Sequence, residues 1–190
     1  AIGLGFQKFA VPVFNRCLRI IESYLIQYAV RSVVLSKVNN ALTLKNHQAH
    51  IENKQKVDPP EDLFVVAALD MISGMCEGLG ASMDSIIGNS NLVPLVTQIC
   101  DVYSPEVKQA AFALVGDITR FCAVHIAPYV HQLLPLMICQ VRPRVVFVSV
   151  PNNAIWAIGE ICLKAGAQME PYALDILQRL CVILSVRSFT

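Results

Sequence analysis

Ala154-Ile155-Trp156-Ala157-Ile158-Gly159 recurs in kind twice upstream, as Ala111-Phe112-Ala113-Leu114-Val115-Gly116 and as Ala68-Leu69-Asp70-Met71-Ile72-Ser73-Gly74. Each copy opens on a small residue, continues through mostly apolar positions and closes on glycine, and the three glycines stand 42 and 43 residues apart. A period of roughly 40–47 residues in helical sequence marks arrays of HEAT-type helix pairs. In such an array the inner helix of each unit lines a concave surface, and a small residue at a fixed position lets successive inner helices approach closely. The expected fold is therefore all-α, a HEAT-repeat α-solenoid built as a superhelical array of antiparallel helix pairs.

The tryptophan copy has two faces. Ala154, Ile158 and Ile161 recur at i, i+4, i+7, the spacing of a packed stripe. Asn152, Trp156 and Glu160 recur at i, i+4, i+8 on a second face, so the only tryptophan of the chain is flanked by two polar side chains on one row. Such a row can receive a ligand. The same spacing also suits a core tryptophan with Asn152 as helix cap.

Residues 6–28 read as an apolar helix carrying Val13, Cys17, Ile20, Ile21 and Tyr24, with Pro12 near its first turn. It is the outer helix of a first unit (1–28). Residues 29–60 carry Asn39-Asn40, His47, His50, Lys54, Lys56 and Pro59-Pro60 and read as a polar linker or insertion. Residues 61–90 hold the first inner helix, capped by Asp62 or a neighbour and stopped at Gly78-Leu79-Gly80, and its connection. A second unit (91–125) pairs a helix opened by Asn91 with one opened by Pro105. A third (126–168) pairs the segment after Pro128 with the tryptophan helix, and 169–190 is the first helix of a truncated fourth. Only Val145–Val150 has the β-branched density of a strand.

At 190 residues, with 55% hydrophobic residues and a mean hydropathy of +0.53, the chain is apolar for a whole soluble domain. That suits a piece of a longer solenoid whose ends further repeats would cover, a reading that the absent start methionine also favours. Residues 121–141 are uncharged, but they hold Pro128, Pro135, His125, His131, Gln132 and Gln140, which suits a buried helix better than a lipid-facing one. The seven cysteines stand singly, with no two-residue gap of a zinc or redox site, and read as small hydrophobes in a reducing compartment. His47 and His50 have no patterned cysteine or carboxylate beside them, so no metal or cofactor is expected. No nucleophile has a patterned base, and Gly78-Leu79-Gly80 lacks both the further glycine and the preceding strand of a phosphate loop, so the chain does not read as an enzyme.

Charge is distributed unevenly. Residues 61–118 hold eight acids, Glu61, Asp62, Asp70, Glu77, Asp84, Asp101, Glu106 and Asp117, against the single base Lys108, although the whole chain has a net charge of only +1. An acidic trough beside an exposed indole favours a basic, partly hydrophobic, extended peptide and disfavours nucleic acid. Solvation of outer helices accounts for Glu61, Asp84 and Glu106, but less well for Asp70, Glu77 and Asp117 on the repeated helices.

Asn152-Asn153-Ala154-Ile155-Trp156-Ala157-Ile158-Gly159-Glu160-Ile161, Ala68-Leu69-Asp70-Met71-Ile72-Ser73-Gly74-Met75-Cys76-Glu77-Gly78-Leu79-Gly80 and Phe112-Ala113-Leu114-Val115-Gly116-Asp117 together resemble the C-terminal half of the transportin (karyopherin-β2) family of importin-β-type nuclear import receptors. The likeness covers residues 1–28 and 61 to about 184. It implies a HEAT superhelix that wraps disordered, basic cargo signals ending in a proline-tyrosine pair, and Ran-GTP that releases them in the nucleus. It further implies shuttling between cytoplasm and nucleus, Ran-GTP and nucleoporin contacts outside this fragment, and neither direct nucleic-acid binding nor membrane insertion.

Carried over by position, the family's cargo contacts fall on Val66, Asp70, Glu77, Gln109, Asp117, Asn152 and Trp156. Their spacings, four from 66 to 70, seven from 70 to 77, eight from 109 to 117 and four from 152 to 156, suit one exposed row on each helix. Trp156 and Val66 would offer an apolar face, Asp70, Glu77 and Asp117 would attract Lys and Arg, and Asn152 and Gln109 would hold backbone amides. The fragment alone would bind cargo weakly, would not respond to Ran, and would tend to aggregate through its open ends.

The chain departs from the family at four places, and at one of them, Ala81–Ile87, it matches only loosely. Residues 29–60 are longer and more basic than the family's connection, Arg142-Pro143-Arg144-Val145-Val146-Phe147 breaks the pattern, and Pro151 predicts a late helix start that shifts Asn152. A generic HEAT scaffold for protein–protein contacts, such as a phosphatase regulatory subunit or an importin-β relative with other cargo, is the alternative reading.

Overall fold

The computed structural model describes residues 3–43, 61–143 and 148–187. Within them the chain is all-α, a HEAT-type array of helix pairs. Helix α1 (Gln7–Thr43) follows a 3₁₀ turn at Gly3–Phe6, and α2 is Asp62–Leu79. A 3₁₀ turn at Gly80–Met83 leads through α3 (Asp84–Gly88) to α4 (Leu92–Ile99) and α5 (Pro105–Ile126). Another at Ala127–Tyr129 leads to α6 (Val130–Ile138) and α7 (Ser149–Ala165), and a third at Gly166–Met169 leads to α8 (Glu170–Arg187).

These helices form two layers. Helices α2, α5 and α7 stack side by side in chain order, with α5 packed between the other two. Helices α1, α4, α6 and α8 make the other layer, each of the first three packing on the stacked helix of its own unit. The core lies between the layers. Val65, Leu69, Ile72 and Cys76 of α2, Ala111, Leu114, Val115 and Ile118 of α5, and Ala154, Ile158 and Ile161 of α7 are all buried there. The i, i+4, i+7 stripe of the tryptophan helix is thus the buried face. Burying a Leu, Ile or Val side chain stabilises by ~1.5–3 kcal/mol, so this seam holds the two layers together.

Repeat contacts recur at the period of the sequence. Ser73 bonds Asp117 at a separation of 44, Asn153 Nδ2 donates to the Gln109 carbonyl at 44 (3.0 Å), and His125 Nε2 meets Asp84 Oδ1 at 41 (3.0 Å). His131 and Tyr172 also meet at 41. Buried Met83, Ile126 and Met169, 43 residues apart, close the turn after each stacked helix.

The structure departs from the expected elements at three points. The first helix does not end at residue 28 but continues to Thr43, through fifteen residues assigned to a linker. Between Pro12 and Pro59 there is no proline, and between Gly5 and Gly74 no glycine, so nothing interrupts it. Its serines are absorbed locally, Ser32 Oγ donating to the Tyr28 carbonyl (2.9 Å) and Ser36 Oγ to the Val33 carbonyl (2.8 Å). The rest of that linker, with His47 and His50, lies outside the described residues, as does 144–147.

Second, the cap position of α2 falls on the neighbour of Asp62. Glu61 holds the cap position without a side-chain bond, and Asp62 accepts from Tyr24 Oη of α1 (2.9 Å). Third, α7 starts early, at Ser149. Pro151 is its third residue, where the missing N–H is among those that have no helical acceptor in any case, and the Asn152 N–H donates to the Val148 carbonyl (3.2 Å). Asn152 is therefore inside the helix and is not its cap.

Two helical stretches, 62–88 and 105–138, are long and apolar enough to cross a membrane by composition. Here both are layered against other helices, with their apolar faces in the shared core.

Candidate functional site

The stacked layer brings most of the expected site residues onto neighbouring helices. On α2, Val66 is half-buried while Asp70 and Glu77 are exposed, and with Ser73 they form a row at i, i+4, i+7, i+11. Partial burial of the Asp70 carboxyl raises its pKa. Neither Asp70 nor Glu77 has an ion-pair partner among the described residues. Two uncompensated carboxylates on one row leave that edge of the layer electronegative.

On α5 the expectation divides. Gln109 is half-buried, and its backbone carbonyl accepts from Asn153 of α7, which ties the start of α5 to the turn of α7 that holds Asn152. Asp117, expected on an exposed row, is only 4% exposed. A separation of eight residues carries a helix about 80° past its starting row, so Asp117 turns off the face that Gln109 occupies. Ser73 Oγ of α2 donates to Asp117 Oδ2, and Oδ1 is buried without a partner among the described residues. Burial is the main cause of a raised Asp117 pKa. The Ser73 bond opposes it, Glu77 adds to it, Arg120 opposes it and Glu160 adds to it. These groups place one carboxylate each from α2, α5 and α7 in mutual electrostatic range.

On α7, Asn152 is exposed and Trp156 keeps 37% of its surface open. The rest of the indole lies against α5 at Gly116. Trp156 is thus neither a core residue nor a free surface one. The resulting strip runs from Glu77 across Asp117 to Glu160 and Trp156, with Asn152 one turn before the indole. It can offer an apolar ring, uncompensated negative charge and one amide to an extended basic chain.

Three participants lay outside the sequence-derived set: Ser73, Gly116 and Arg120. The glycine repeat was the available signal for Gly116. Nearby, burial pushes the Cys76 thiol up to about 12, so it is a small hydrophobe with no thiolate chemistry. Cys139, Cys162 and Cys181 are exposed, contrary to the expectation that every cysteine serves as packing. Among the described residues, no group of three potential metal ligands occurs.

No family model matches the sequence. Mouse transportin-1 is 33% identical over 185 residues and rice transportin-1 is 37% identical over 186, each alignment taking in 97% of this chain. Importin subunit beta-2 of Schizosaccharomyces pombe is 32% identical over 191 residues. The chain is homologous to a segment of the transportins. It spans 18% of the length of the mouse and rice transportins, about one fifth of those proteins. Coverage of 97% carries the transportin similarity across residues 29–60, beyond the blocks that first suggested it.

Proposed function

We propose that this chain is part of the cargo-binding surface of a transportin-type nuclear import receptor, from the C-terminal half of that receptor. It binds the basic or hydrophobic part of a disordered nuclear localisation signal on the α2–α5–α7 layer. The observation that carries this reading is the half-open indole of Trp156, seated on Gly116 of α5, in a layer whose Asp70, Glu77 and Glu160 have no ion-pair partner among the described residues. Trp156 and Val66 take the aliphatic parts of the signal, and Asp70 and Glu77 attract its Lys and Arg. Asn152 and Gln109 hold backbone amides that an extended peptide leaves unpaired. Asp117 contributes from beneath, as a buried charge that deepens the local potential. The chemistry is reversible binding, with no bond made or broken.

In the intact receptor the proline-tyrosine pocket and the Ran-GTP and nucleoporin surfaces lie in other repeats, and Ran-GTP releases the cargo in the nucleus. The receptor shuttles between cytoplasm and nucleus. Homology to transportins and to importin subunit beta-2 supports this part of the reading.

The test is fluorescence anisotropy of a labelled basic proline-tyrosine signal peptide on the chain spliced into a full-length transportin framework. Trp156→Ala and Asp70→Lys are each expected to lose roughly 1–2 kcal/mol of binding, with added salt shrinking the Asp70 effect alone. Normal binding by both variants would overturn the reading in favour of a generic scaffold.

A further inference from the structure

Gly116 lies in the middle of α5, where a residue with no side chain is disfavoured unless something needs the space. A Cβ built on Gly116 would stand 2.1 Å from Cζ3, 2.6 Å from Cε3 and 2.7 Å from Cη2 of Trp156. Those three atoms belong to one side of the rigid six-membered ring, so the clash could not be relieved by bending a flexible chain end. The indole occupies the volume in which any other residue at 116 would keep its first carbon.

The two other glycines of the repeat behave differently. A Cβ built on Gly74 or on Gly159 meets nothing within 4 Å. Forty-three residues before Trp156 and Gly116 stand Ala113 of α5 and Ser73 of α2, so the matching pair on those helices has neither the ring nor the glycine. Gly116 therefore differs from Gly74 and Gly159 in giving its Cβ volume to the Trp156 indole.

We propose that Gly116 is the positioning residue of the peptide-binding face: by leaving its Cβ volume to the Trp156 indole, it fixes one side of the ring on α5 and keeps the remainder open to a hydrophobic side chain of the ligand. This rests on the reading of Trp156 as a ligand contact. The seating itself does not, and it is measured separately.

Trp156 is the only tryptophan, so its emission reports this seat alone. The experiment compares the chain carrying Gly116→Ala, Trp156→Ala, both changes together, or the matched control Gly74→Ala. The readouts are the emission maximum, acrylamide quenching, far-UV circular dichroism and anisotropy of the labelled signal peptide. Gly116→Ala is expected to shift emission to the red, raise quenching and weaken the peptide about tenfold, a change equivalent to ~1.4 kcal/mol. Gly74→Ala should leave emission and binding unchanged. Adding Gly116→Ala to Trp156→Ala should cost no further binding. If Gly116→Ala alone fails to fold, the double variant should fold, because the clashing ring is gone. Unchanged emission in Gly116→Ala, or an unfolded double variant, overturns the proposal. Normal peptide binding by Trp156→Ala, with emission still shifted in Gly116→Ala, overturns the ligand role and leaves the seat standing.

Discussion

Ser73 of α2 donates its hydroxyl to the Asp117 carboxylate of α5, and the second oxygen of Asp117 is buried without a partner among the described residues. The bond joins two units at the centre of the stacked layer. It also leaves a carboxylate half-satisfied in a buried place, close to Glu77 and Glu160. An unsatisfied buried charge opposes folding, while a hydrogen bond to it favours folding, so the two atoms of one side chain pull in opposite directions.

The sign of the pH effect follows. Burial, then Glu77 and Glu160, hold the Asp117 pKa above its ordinary value of 3.8, so the folded chain binds this proton more tightly than the unfolded one. The contribution is fully present below the unfolded pKa and is lost as pH rises through the raised folded value. Asp117→Asn should therefore melt higher than wild type at pH 7, by a few degrees for ~1 kcal/mol, and the gap should close towards pH 4. Ser73→Ala should melt lower than wild type at pH 7. Calorimetry across that range checks both, and an Asp117→Asn variant that is less stable at neutral pH would sink the account.

Tyr24 gives the alkaline counterpart. Its hydroxyl donates to Asp62 Oδ1, and its ring is buried between α1 and α2. Burial first, and then the bond to Asp62, raise its pKa well above the ordinary 10.0. The stability it supplies is intact below pH 10 and is lost only above it. In a spectrophotometric titration at 295 nm, one of the five tyrosines should ionise only as the chain unfolds. Tyr24→Phe should remove that step and cost ~1–2 kcal/mol at neutral pH, because Asp62 loses its donor. Five tyrosines titrating together in the native chain would contradict the burial of this pair.

The repeat was legible because helix packing imposes one small residue per unit at one register, and the buried Ala68, Ala111 and Ala154 carry that register, whereas of the three glycines only Gly116 is packed against a neighbouring side chain. The buried stripe of Ala154, Ile158 and Ile161 was legible for the same reason. The length of α1 was not, because Asn39-Asn40 and the polar residues that follow read as linker by composition. Ser32 and Ser36 spend their hydroxyls on carbonyls three or four residues back, which a composition reading counts as polarity. The candidate face was half legible. Trp156 and Asp70 lie as open as their rows required, but the step from Gln109 to Asp117 crosses an edge of α5. Whether position 117 meets solvent or α2 depends on the neighbour that supplies Ser73, and sequence spacing within one helix contains no such information.

Gly166 and Gly80 close the turns after α7 and α2 with φ of +52° and +54° and ψ near −120° to −130°, a region open to glycine and strained for other residues. The middle unit has Ala123 at the matching place and no glycine. There α5 kinks one residue earlier, at Cys122, with φ −142° and ψ 46°, which an ordinary residue can hold, and residues 123–126 continue as a further helical turn. Both solutions deliver a buried apolar side chain three residues past the glycine position, Met83, Ile126 or Met169. The turn is thus required by the repeat, and glycine is one of two ways to make it. Gly166→Ala isolates the backbone effect, since a Cβ there meets nothing within 4 Å. It should cost ~1–3 kcal/mol, read as a melting point lower by several degrees. The loss should vanish if the added methyl lets the turn shift to the geometry of the middle unit, with Ala165 departing from helical geometry as Cys122 does. A melting point equal to wild type, with the backbone amide chemical shifts of Ala165 and Ala167 unchanged in the variant, would mean that positive φ is not a requirement of this turn.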